Sequence, residues 1–196
     1  LFPYTTLFRS VAARASLALE RVEPALAQVY RDSALRAAAW AESEYPAWLQ
    51  SRPAQPADPD AVANALNEVR DARNLAALEL YRLTGDPNWH RIFLETTKFT
   101  SPAADPAVWR SHNQRDAAFL YCLLEPGGVD AAVQNNARNA ILREAARSVQ
   151  QSQRTGFNWT KQDPWEPVGF GKLSAPQAVT LVRAHRLTGD PGLLRT

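Results

Sequence analysis

The hexapeptide RLTGDP occurs twice, at residues 82–87 and again 104 residues later at 186–191. In each copy the Gly can take the left-handed conformation that closes a helix. The Asp after it can cap the next helix, and the Pro can open that helix because its missing N–H costs nothing there. Each copy therefore reads as a tight turn between two antiparallel helices. Each also follows a long helical pattern, LAALELY before Arg82 and AVTLVRAH before Arg186. A chain carrying both is built of helical hairpins. The spacing does not suit solenoid repeats of about 33–47 residues, but it holds two hairpin units of roughly fifty residues each.

The rest of the chain fits that frame. Residues 24–46, PALAQVYRDSALRAAAWAESEYP, start with Pro24 in a first helical turn. Leu26, Val29, Tyr30, Leu35, Ala37, Ala38 and Ala41 form its apolar face, and Pro46 is expected to end it. A connection rich in proline (Pro46, Pro53, Pro56, Pro59) leads to the helix-start signal DPD. Residues 60–85 are the most regular stretch. Val62, Leu66, Val69, Ala76, Leu80 and Leu83 recur at spacings of three and four, with Arg73 on the same line, and Leu75 and Leu78 widen the stripe. So wide a face packs on two neighbours. Arg73 either snorkels or pairs with a buried carboxylate, with snorkelling the default. Further helices are expected at about 88–98, 114–124 and 130–154, with PGGVD (126–130) as another closing and capping turn and TSPAADPAVW (100–109) irregular. No strand pattern stands out, and the fold class is all-α.

Composition excludes several function classes. The 22 basic and 20 acidic residues give a net charge of +2 and are scattered along helices, which speaks against a nucleic-acid partner. No run approaches the ~20 apolar residues of a membrane span. Cys122, the only cysteine, sits in FLYCLL and reads as a core thiol; it cannot form an internal disulfide. His90, His112 and His185 are far apart, lack the spacing of a helical metal pair, and read as surface or turn residues. With no Gly-rich phosphate loop and no metal-ligand cluster, no cofactor or metal is expected. The opening LFPYTTLFRS has no Ala and differs from everything after Val11. It lacks the apolar core of a signal peptide and resembles a translated sequencing adapter. Residues 1–10 are accordingly set aside as non-native, and the absence of any Met fits an incomplete sequence.

Two stretches hold polar and aromatic chemistry. GFNWTKQDPWEPVGFGKLS (156–174) has two Gly-Phe pairs, two Trp and two Pro without helical period. In an all-α domain, such a loop is where function tends to sit; the alternative is that Trp159, Trp165 and Phe170 cover the core. Asp163 and Glu166 flank Trp165, and their spacing reads as capping more than as a catalytic pair. HNQRD (112–116) is equally a polar run facing a cleft or a helix start, with Asn113 as cap and Asp116 in the first turn.

Taken in order, RDARNLAALELYRLTGDPNW, WRSHNQRDAAFLYCLL and GFGKLSAPQAVTLVRAHRLTGDP resemble the family 9 glycoside hydrolases, β-glucanases built as an (α/α)6 barrel of six helical hairpins. The resemblance covers roughly residues 20–196. It implies that Phe170-Gly171 matches the family's aromatic-Gly motif, whose ring lines the sugar cleft and stacks on a pyranose. Where many members place an Asn or Arg against substrate, this chain has Lys172-Leu173-Ser174. Trp109, His112 and Asp116 stand where members carry a Trp and acidic residues before a helix. The implied substrate-binding set is thus Phe170, Trp165, Trp109, His112, Asp116 and Ser174, and the implied partner an oligo- or polysaccharide. The family's inverting chemistry needs a base, one of two early aspartates, and a late glutamic acid. Neither region lies in this sequence, so no catalytic residue is assigned. Residues 11–196 read as an incomplete catalytic domain, truncated at both ends, of a secreted or periplasmic enzyme. Alone, the chain is expected to be inactive and to aggregate or form a loose helical state, since an arc of a barrel exposes apolar edges. The competing readings are another α-toroid carbohydrate enzyme, such as an epimerase, and a non-catalytic scaffold that binds a glycan or partner.

Overall fold

Both RLTGDP copies fold into the same turn. In the computed structural model, which describes residues 2–51, 59–108, 112–154 and 176–195, Gly85 and Gly189 are left-handed at φ 71° and 74°. The amides of Gly85 and Gly189 donate to Tyr81 O and His185 O at 2.8 and 2.7 Å. Thr84 and Thr188 bond back to Leu80 O and Ala184 O, and their hydroxyls accept the amides of Asp86 and Asp190, both at 3.1 Å. The two Asp side chains then accept from Asn88 N and Gly192 N. The repeat is therefore a local hydrogen-bonding device, written in Thr, Gly and Asp because each supplies one part of it.

The described helices are α1 (Phe2–Leu19), α2 (Pro24–Gln50), α3 (Pro59–Thr84), α4 (Pro87–Thr96), α5 (Arg115–Cys122), α6 (Ala131–Ser152) and α7 (Pro176–Thr188), with short 3-10 turns at Pro126–Gly128 and Pro191–Leu194. One small feature was not legible in the sequence pattern. Strands β1 (Ala107–Val108) and β2 (His112–Asn113) pair antiparallel, Val108 opposite His112. The chain divides into two compact units, Leu1–Thr97 with Ala107–Ala117, and Lys98–Pro106 with Ala118–Thr196.

In the first unit, long-range hydrogen bonds fix the helix directions. Arg31 of α2 reaches Leu83 of α3, and Glu42 of α2 reaches Arg73 of α3, so these two helices run antiparallel. Arg14 of α1 bonds Glu79 of α3, and Asn74 of α3 bonds Phe93 O and Thr96 Oγ1 of α4. The core is made largely of alanines, which let helix backbones approach closely. Ala12, Ala13, Ala34, Ala38 and Leu80 are buried together, with Tyr30, Leu35, Leu83 and Trp89 packed around them. Short turns, Glu20–Glu23 and Gly85–Asp86, lie at one end. At the other end α2 stops at Gln50, α3 starts at Pro59 and α4 stops at Thr96.

Two sequence expectations change here. Pro46 lies inside α2 and does not end it. Proline costs the helix one hydrogen bond, but Tyr45 and Trp48 pack against buried Ala41 and Val69 and carry the helix on to Gln50. Arg73 does not snorkel. Its Nε and one terminal nitrogen grip the Glu42 carboxylate at 2.6–3.1 Å, and its guanidinium covers the Tyr45 ring at 4.5 Å. Helix α1 takes in residues 2–10, and Arg9, 1% exposed, bonds Glu42 at 2.8 Å.

In the second unit, α6 buries Val133, Ala137, Ala140, Ile141, Ala145, Ser148 and Ser152 along one face. Asp130 caps it, accepting from Val133 N, as the PGGVD turn implied. Gln134 closes the end of α5 by donating to Tyr121 O and Leu124 O, both at 3.0 Å. Asn136 and Arg143 hold the segment before the ribbon through Phe99 O and Ala104 O, and Arg147 pairs with Asp105. Arg138 of α6 reaches Leu187 O of α7, and Glu144 of α6 accepts from Thr180 of α7, so these helices are antiparallel.

Candidate functional site

Of the implied sugar contacts, the described residues contain two, His112 and Asp116, both in the first unit. Trp109, Trp165, Phe170 and Ser174 lie outside the described residues, as do Trp159, Asp163 and Glu166. His112 is a correction. It is neither a surface nor a turn residue but lies in β2, 7% exposed. Asp116 stands in the first turn of α5, where a carboxylate suits the positive end of the helix. Between them Asn113 accepts the amide of Arg115, the first residue of α5, at 3.3 Å, so HNQRD leads into a helix start.

Below this segment lies a buried polar network. The Asp71 carboxylate, 8% exposed on α3, accepts the backbone N–H of Asn113 and, at 2.8 Å, the side-chain amide of Gln114. Gln114 also donates to Thr96 O at 3.1 Å, and Arg70 Nε donates to the same carbonyl at 3.2 Å. Asn74, fully buried, donates to Phe93 O and Thr96 Oγ1, while its own side-chain oxygen has no partner among the described residues. Buried polar groups are costly unless bonded, and this network bonds nearly all of its members. It joins the middle of α3, the end of α4 and the start of α5 around the two candidate residues.

Two carboxylates elsewhere in the unit are held by arginines. Glu79, fully buried, receives Arg14 at 2.7 Å and Arg82 at 2.6 Å. Glu42 is squeezed between Arg73 and Arg9. Burial pushes Glu42 upward, but the hydrogen bonds from Arg73 and Arg9 outweigh it and hold the carboxyl below its ordinary range. Arg9 is shifted down by its burial, against the pull of Glu42. These carboxylates bind protein cations and are not set up as acid or base.

The other histidines serve local packing. His90 stacks between Tyr81 and Phe93, with ring centroids 4.9 and 6.4 Å away. His185 Nδ1 lies 2.8 Å from Asp190 O in the second RLTGDP turn. Among the described residues no three His, Cys, Asp or Glu side chains group to hold a metal, and no helix is long and apolar enough to cross a membrane. A cleft of about 290 Å³ lies at the short-turn end of the first unit, beside Ser16, Glu20, Gln28 and Arg31, away from the ribbon.

Sequence patterns alone pass over Asp71, Asn74 and Gln114, whose partners come from distant segments. The one local signal is that Asp71 and Asn74 lie three apart on α3, a spacing that puts both on one face.

No protein-family model and no curated protein matches the chain. Solved structures do. A single mutant of a thermostable endoglucanase from Alicyclobacillus acidocaldarius matches with a TM-score of 0.68 at 22% identity, over 96% of this chain and 34% of that one. AaCel9A in complex with a cellobiose-like isofagomine matches at TM-score 0.67 and 22% identity, over 94% of this chain and 34% of that one. A metagenome-derived glycoside hydrolase family 9 endoglucanase matches at 0.68 and 21%, over 95% and 33%. The chain spans about a third of the length of these structures. It is similar to them in fold, and the all-α hairpin architecture expected from the sequence, part of an (α/α)6 barrel, is the one that family 9 endoglucanases share with it.

Proposed function

We propose that these residues are part of the catalytic domain of an inverting glycoside hydrolase that cleaves β-linked glucans. The observation that carries this reading is the alignment of about 95% of the chain with family 9 endoglucanases, one of them holding a cellobiose-like isofagomine. Within such an enzyme, this stretch supplies helical wall and part of the rim that holds the sugar. Phe170, Trp165 and Trp109 offer rings to the apolar faces of pyranoses. His112, Asp116 and Ser174 offer hydrogen bonds to hydroxyls. The aspartate pair that activates water and the glutamic acid that protonates the leaving oxygen belong to the rest of the parent protein. Residues 1–10 are non-native in this reading, and the parent is secreted or periplasmic.

The test begins with the source locus, sequenced through codon 1 and past Thr196. The expected frame replaces LFPYTTLFRS, places an aspartate pair upstream and a glutamate downstream, and encodes an enzyme that hydrolyses cello-oligosaccharides. Proton NMR of the first product should show the α-anomer from a β-linked substrate. A frame that closes near these ends without those carboxylates overturns the reading and leaves a helical binding protein.

A further inference from the structure

Asp71 stands out among the polar side chains that the proposed reaction does not use. It is a carboxylate almost wholly withdrawn from water, and it holds two donors that sit 42 and 43 residues away in sequence. Both donors, Asn113 and Gln114, lie where β2 passes into α5. A carboxylate only accepts, and it can take both donors at once. A neutral amide at the same place would turn one acceptor into a donor, facing either the Asn113 N–H or the Gln114 side chain. Gln114 cannot flip to compensate without giving up its bond to Thr96 O.

What Asp71 grips is the point where two candidate sugar contacts diverge. His112 precedes Asn113 in β2. Asp116 follows it in the first turn of α5, a helix whose first amide Asn113 itself accepts. Fixing the Asn113 amide from below fixes both. Hydrogen bonds to a charged acceptor are stronger than neutral ones, which suits a device that must hold a two-residue strand in one place.

We propose that Asp71 is a positioning residue for substrate: it sets the ribbon-to-helix corner so that His112 and Asp116 meet a β-linked gluco-oligosaccharide. This rests on the hydrolase reading above. It adds a residue that does not touch the sugar and acts through the Asn113 amide and the Gln114 side chain.

The test uses the full-length parent enzyme with cellotetraose and cellopentaose. In Asp71→Asn, KM should rise about tenfold while kcat stays within about twofold, the loss expected for one charge-assisted hydrogen bond acting on binding. Hydrogen exchange at Asn113 should speed up while amides of α3 and α4 hold. Asp71→Glu, which keeps both acceptor oxygens, should recover part of the KM. If Asp71→Asn does not accumulate as folded protein, Gln114→Ala carries the same measurement, because it keeps the Asp71 carboxylate and the Asn113 amide while removing the Gln114 bonds to Asp71 and Thr96 O. An unchanged KM, with activity falling only as the folded fraction falls, makes Asp71 merely structural and overturns the proposal. A wild-type parent inert on every β-glucan instead overturns the hydrolase reading, and this proposal with it. An active wild type with an unmoved KM in the variants sinks this proposal alone.

Discussion

The guanidinium of Arg31 donates to the carbonyl of Leu83 at 2.8 Å, across 52 residues of sequence. Leu83 is the second residue of the first RLTGDP. In the second unit Arg138 makes the same reach to Leu187, the second residue of the second copy. A helix leaves its last carbonyls without partners, and here an arginine from the preceding helix supplies one each time. The repeat thus extends beyond the hexapeptide into its packing. Arg31→Met should cost about 1–2 kcal/mol. Native-state hydrogen exchange should show the loss in the last turn of α3, with the ribbon unaffected.

Gly85 is a test of backbone strain without steric conflict. A Cβ built there meets nothing within 4 Å, yet φ is +71°. Gly85→Ala should therefore destabilise by roughly 1–2 kcal/mol from conformation alone, and Gly85→Asn by less, since Asn tolerates this region. Gly189→Ala should match it closely, for the second turn has the same geometry and open space. Denaturant midpoints of the three variants check this.

The clasp on Glu42 carries a pH signature. Its folded carboxyl is held below its ordinary value, so the clasp stabilises fully above the unfolded pKa, about 4.3. That contribution fades as pH falls through the lower folded value. Glu42→Gln should flatten the acid side of the stability-against-pH curve and change its slope little above pH 6. Urea melts between pH 3 and 7 read this directly.

Cys122 should be inert while the protein is folded. Burial pushes its thiol up to about 12, so the thiolate fraction at pH 8 is on the order of 10⁻⁴. Ellman's reagent should titrate no thiol in the native protein and one in denaturant. Rapid native reaction would show that the packing around α5 opens readily.

The 196-residue chain by itself should associate. On α2, Leu26, Val29 and Trp40 are 43%, 58% and 44% exposed at spacings that put them on one helix face, large apolar groups that a soluble monomer rarely lines up at its surface. Sedimentation velocity should show self-association that grows with concentration, together with dye binding typical of loose helical states. A sharp, concentration-independent melt would count against it.

What could be read from the sequence was set by how local the physics is. The TGDP turns were legible because every bond in them closes within a few residues. Asp130 as the cap of α6 and Pro87 at the start of α4 were legible for the same reason. Pro46 misleads because its effect is judged locally, while the packing of Tyr45 and Trp48 that overrides it comes from α3. Arg73 lies on an apolar stripe, and only the fold brings Glu42, 31 residues away, to meet it. The candidate site follows suit. A helix start at HNQRD was one of two even readings, because such a start is local. Asp71 was invisible, because its donors are more than forty residues off. Burial of His112 likewise depends on β2 packing against α3, which no periodicity announces.

The two RLTGDP turns are fixed in length by their own hydrogen bonds, so neither tolerates an added residue without losing its register. The links between α2 and α3, residues 51–58, and between α6 and α7, residues 153–175, do not carry the hexapeptide. Mutation is therefore expected to spare the Thr, Gly and Asp of both turns, because each supplies one of the bonds that set the turn's length. A lineage of such proteins would keep the same stitch at both copies while the sequence around them drifts.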